Sequence, residues 1–162
     1  MTESTYTVDT NQTIVGGLSD LATTLVDVTR GYKEMEDRAE PDLLPTIKSL
    51  KDRHERDAAE VLSLLEKTGG RPEDTGSVMG AVHEAVATAR DWFGGLDGSA
   101  IDAIVDGEEQ VLEQYKDALA QTHGTPEIHD VMVRQKNELS QEVDALRAKE
   151  EPDALMLVEQ CQ

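Results

Sequence analysis

The sequence predicts an all-α protein, an antiparallel four-helix bundle with a long crossover linker that carries a short extra helix. Three observations predict it. Apolar residues recur at alternating spacings of three and four along four long runs, which is the seam of helices packed in a bundle. Proline and glycine breaks separate the runs, short within each pair of runs and long between the pairs. Aromatic residues make up only 3% of a 162-residue chain rich in Leu, Val, Ala, Glu and Asp, so the core is aliphatic, and the length suits one continuous core rather than two.

Residues 1–11 are polar and rich in Thr, and they read as a disordered or loosely docked arm ahead of a bundle spanning 12–148. The first helix is expected over 12–39, with its seam at Ile14, Leu18, Leu21, Leu25, Val28, Tyr32, Met35 and Ala39. Glu40-Pro41-Asp42 breaks it, because proline disfavours helical geometry in the residue before it and suits the first turn of the next helix. The second helix is expected over 42–67, with Leu43, Ile47, Leu50, His54, Ala58, Val61 and Leu65 on its seam. A short break followed by opposite travel makes the two a hairpin.

Val78, Val82, Ala85, Ala89 and Trp92 mark the short extra helix over 77–93. The glycines of Gly94-Gly95-Leu96-Asp97-Gly98 end it. The third bundle helix follows over 98–121, its seam running through Ile101, Ile104, Glu108, Val111, Tyr115 and Ala118. Thr125-Pro126 places an N-cap and a first-turn proline at the start of the last helix, expected over 125–148. Its seam is Ile128, Met132, Gln135, Leu139, Val143 and Leu146. Glu151-Pro152 is read as its stop, leaving 149–162 as a C-terminal tail.

The linker opens with Gly69-Gly70, a helix C-terminus signal, and Pro72 blocks continuation. Ser77 offers a hydroxyl near the start of the extra helix, and Gly76, Gly80 and His83 complete a run of the form G-G-x-P-x-x-x-G-S-x-x-G-x-x-H. That run resembles the linker of the DUF2383 family, uncharacterised bacterial proteins with a ferritin-like four-helix bundle. Leu18 through Asp27, Gly31-Tyr32-Lys33-Glu34, Gly107-Glu108-Glu109 and Tyr115 through Leu119 share the resemblance, which extends over roughly residues 12–147. It implies a ferritin-like fold and a link to stress responses, without a defined activity.

Thirty-four acidic against fifteen basic residues give a formal charge of −19, which repels phosphate backbones and anionic lipid surfaces. Nucleic-acid and membrane partners are therefore not expected, and no small-molecule substrate suggests itself. Cys161 is the single cysteine and cannot form an internal disulfide. With neither a signal-peptide pattern nor a membrane-length apolar run, the cytoplasm is the expected compartment. Low-aromatic, narrow-seamed helices suit a homo-oligomer.

Ferritin-like bundles hold two metal ions with a Glu from each of two helices and a Glu-x-x-His pair from each of the others. Lys51, not a carboxylate, stands three residues before His54, and Pro126 stands three before His129. Glu138 and Glu142 are followed at that spacing by Gln141 and Ala145. No cofactor is expected on this pattern. What remains is a core polar network of Tyr32, His54, Glu108 and Gln135, one residue on each seam, which has to find internal partners and fixes helix register. The favoured reading is a non-enzymatic bundle acting through its surface. The alternative is a degenerate metal site, ferroxidase-like, holding iron or another divalent transition metal on His54 and Glu108 with help from Glu34, Glu36 or Glu138. His83 fits a helix-capping or backbone-bonding role better than catalysis.

Overall fold

Seam periodicity becomes four helices in the computed structural model, which describes residues 3–70 and 100–159. These are α1 (Glu3–Glu36), α2 (Leu44–Lys67), α3 (Ala100–Gln121) and α4 (Pro126–Glu159), and no strand accompanies them among the described residues. The short helix expected over 77–93, with Pro72, Gly76, Ser77, Gly80 and His83 of the linker run, lies outside the described residues.

Two boundaries correct the sequence reading. The arm expected over residues 1–11 is helical from Glu3 onward. Nothing before Gly16 is a glycine or proline, so once the packed part of α1 has nucleated, each residue toward the N-terminus adds a hydrogen bond at little cost. At the other end, α4 continues through Pro152 to Glu159 rather than stopping near 148. Proline forfeits one intrahelical bond, but Ala148-Lys149-Glu150-Glu151 before it and Ala154-Leu155-Met156-Leu157 after it are strong helix formers.

The turns follow from local chemistry. Past α1, the Leu43 and Leu44 amides donate to Glu40 O at 3.1 and 3.0 Å, and Pro45 occupies the first turn of α2. At the end of α2, Gly69 takes φ +84, a left-handed conformation that a side chain would strain. Its amide donates to Glu66 O and that of Gly70 to Leu65 O, both at 3.0 Å, so two carbonyls left over at the helix end are satisfied. Between α3 and α4, Gly124 supplies the same conformation at φ +87.

The seams meet in one core. Leu18, Leu21 and Leu25 of α1 are buried with Ile47, Leu50, Val61 and Leu65 of α2, and with Val111 and Ala118 of α3. Met132, Leu139, Val143 and Leu146 complete it from α4. Each fully buried Leu or Ile contributes about 1.5–3 kcal/mol, before the entropy of ordering is subtracted. α1 packs against both α2 and α3, and α3 packs against α4. α1 approaches α3 closely at Gly17, where a Cβ would stand 3.0 Å from Gln121 Cβ.

Candidate functional site

Three seam positions place polar side chains in this core. Tyr32 comes from α1, His54 from α2 and Glu108 from α3, and their exposures are 5%, 0% and 1%. Each sits on an otherwise apolar stripe, so helix geometry alone turns it inward. The Tyr32 hydroxyl donates to Glu108 Oε1. His54 Nε2 lies 3.0 Å from both Glu108 oxygens, so Nε2–H is shared across the carboxylate. The Tyr32 and His54 rings stack with centroids 5.8 Å apart and planes 10° from parallel. Burial, reinforced by the Glu108 charge, holds the Tyr32 hydroxyl well above the usual phenol range, so it acts as a donor and stays protonated.

Gln135, the fourth expected member, is buried but belongs to a second group. Its side-chain oxygen accepts from the Tyr115 hydroxyl at 3.1 Å, and its amide donates to the Asp57 carbonyl at 3.4 Å and to Glu60 Oε2 at 2.8 Å. Burial also raises the Tyr115 hydroxyl, with the Asp57 and Glu108 charges adding to it. Tyr115 and Asp57 are the functional-looking residues that seam reasoning missed. On its seam the Tyr115 ring packs as an apolar side chain does, which hides its hydroxyl from a periodicity argument, and Asp57 stands one position before the seam residue Ala58, one turn on from His54. Asp57 is 1% exposed, and burial pushes its carboxyl above the usual range despite the opposing charges of Arg53 and Arg56.

The carboxylates named as possible auxiliary ligands point elsewhere. Glu34 is exposed. Glu36 accepts from Lys51 at 2.6 Å and lies 3.7 Å from Lys48, and the Lys51 hydrogen bond lowers its pKa. Glu138 and Glu142 both receive the Arg53 guanidinium. The Lys51 that stands where a bridging carboxylate would be needed thus turns to the α1–α2 surface. Among the described residues no group of three or more His, Cys, Asp and Glu is arranged to hold a metal ion. A depression of about 550 Å³ lies on α3, lined by Asp106, Glu109, Gln110, Leu112, Glu113 and Lys116.

The family model of DUF2383, a domain of unknown function, matches residues 13–121. The chain belongs to the DUF2383 family. Tyr32, His54, Asp57, Glu108 and Tyr115 fall inside the part that the family model covers, while Gln135 and the rest of α4 lie beyond it. No curated protein and no solved structure matches the chain. No helix among the described residues is long and apolar enough to cross a membrane.

Proposed function

We propose that this DUF2383 protein is a ferritin-like bundle whose buried acid–histidine cluster is architectural. It acts through its surface in the cytoplasm, by self-association or by binding another protein, rather than by catalysis. One observation carries this reading: Glu108 already accepts from Tyr32 and His54 in a core that solvent barely touches. A general base needs an oxygen within reach of a substrate proton, and a metal ligand needs lone pairs to spare. The pairing of Glu36, Glu138 and Glu142 with lysine and arginine supports the same reading, since these carboxylates are neutralised by the chain's own cations.

The antiparallel arrangement with a crossover belongs to the proposal, and the cross-helix contacts support it. Tyr32 meets His54 while Glu36 meets Lys51, so numbering rises along α1 as it falls along α2. Gly17 faces Gln121 while Tyr32 meets Glu108, the same relation between α1 and α3. Helices that each oppose α1 run parallel to one another. The end of α2 and the start of α3 then lie at opposite ends of the bundle, separated along its axis by about 36 Å, the length of the 24 residues of α2.

A degenerate metal site is the second reading, favoured by His54 Nδ1 and Asp57 Oδ1, two buried atoms with no hydrogen-bond partner. Sedimentation velocity over a range of concentrations tests the first reading. Mass-action growth of a dimer or larger species is expected, and a monomer at every concentration would overturn self-association.

A further inference from the structure

Three sides of the bundle are closed by helices in close contact: α1 with α2, α1 with α3, and α3 with α4. The fourth side, between α2 and α4, is closed differently. Ser49 donates to Glu142 at 2.8 Å, and Arg53 spans Glu142 and Glu138. Further along, Arg134 holds both oxygens of Glu60 at 2.7 and 2.8 Å. The Arg134 and Glu138 side chains are 47% and 41% exposed, while Arg53 and Glu142 are only 18% and 20%. Asp57 and His54 stand one turn apart on α2, either side of the Arg53 turn; their Oδ1 and Nδ1 atoms lack hydrogen-bond partners, as do Ser19 Oγ and Asp27 Oδ2 on α1, and Arg56 Nε lies 3.9 Å from Asp57 Oδ1.

We propose that the α2–α4 seam is an ionic latch: α2 and α4 part there, with the α1–α3 contact as hinge, and small solutes reach the His54–Asp57 face of the core. Parting any pair uncovers aliphatic residues of the shared core, and parting α1 from a neighbour would likewise hydrate Ser19 Oγ and Asp27 Oδ2, but the other three pairs are the ones in close backbone contact. Parting this pair exchanges the half-exposed Arg134 pairs, individually weak, together with the more buried Arg53–Glu142 pair and the Gln135 bonds to Asp57 O and Glu60, for hydrated groups. It also supplies water to His54 Nδ1 and Asp57 Oδ1, neither of which accepts or donates a hydrogen bond in the closed core, so the cost of opening is partly returned. Local opening of this kind follows the side of least apolar contact.

Acylation of histidine by diethyl pyrocarbonate, mapped by peptide mass spectrometry, reads the opening directly, with exposed His123 as the internal reference. Arg53→Met combined with Arg134→Met is expected to accelerate His54 modification about tenfold or more relative to His123, with helical circular dichroism retained. Lys33→Met, which removes the Lys33–Glu55 pair of the α1–α2 side, is expected to leave His54 at its original rate. A double variant that reacts at the original rate would overturn the latch, as would Lys33→Met accelerating His54 equally. If the double variant loses its helical signal, Arg134→Gln at its half-exposed position carries the same test, and an unchanged His54 rate there would overturn the proposal.

Discussion

Replacing Glu108 by alanine strips two donors of their only acceptor at once. Tyr32 O–H and His54 Nε2–H both end on this carboxylate, and the stacked geometry of their rings keeps them from bonding each other instead. Each buried donor left unpaired costs about 1–3 kcal/mol. Truncation also leaves a cavity, since Glu108 is only 1% exposed, adding about 1 kcal/mol. The expected loss is therefore about 3–7 kcal/mol, a large share of the roughly 5–15 kcal/mol typical of a domain. Glu108→Gln preserves the volume and one acceptor oxygen, so about 1–2 kcal/mol is expected there. Urea denaturation followed by helical circular dichroism measures both, and an unchanged slope confirms that stability rather than compactness has moved. In a double-mutant cycle, Tyr32→Phe and Glu108→Gln are expected to be non-additive. A Glu108→Ala loss under about 1 kcal/mol would refute the claim that the cluster is an architectural element.

Two further predictions concern Asp57 and Gly17. Burial raises the folded-state pKa of Asp57 above its unfolded value, so its ionised form destabilises the fold, and that penalty is relieved as pH falls through the folded pKa. Asp57→Asn is therefore expected to stabilise the protein by about 1–3 kcal/mol at neutral pH, with the gain shrinking toward about pH 4; urea curves at both pH values that show a loss at neutrality would contradict this. Gly17→Ala places a Cβ 3.0 Å from Gln121 Cβ and 3.5 Å from the Ala118 carbonyl, and is expected to cost about 1–3 kcal/mol in a thermal melt. An unchanged melting temperature would show that α1 and α3 can move apart freely.

The seam positions of Tyr32, His54 and Glu108 were legible because a polar residue on a three-and-four apolar stripe has nowhere to point but inward. Their mutual distances were not, since height in the bundle depends on register between helices, and one sequence without contacts does not contain it. Gln135 shows the difference: it lies on its seam as expected, yet bonds to Tyr115 and Glu60 rather than to Glu108. Asp57 escaped because charged residues beside a seam are usually solvated, and only the packed neighbours decide otherwise. The Gly69 helix end and the Pro126 helix start were readable from local chemistry. The start of α1 and the end of α4 were not, because propagation from a packed segment overrides weak local preferences.

The central claim is that the Tyr32–His54–Glu108 cluster builds the fold and does not hold a metal. Plasma mass spectrometry of protein purified without added metal or a metal-affinity tag, beside His54→Ala and Glu108→Ala, tests it most directly. Sub-stoichiometric iron, manganese and zinc, the same in all three proteins, with both variants folded but less stable, is the predicted result. One equivalent of a transition metal in the original protein, lost in both variants, would contradict it.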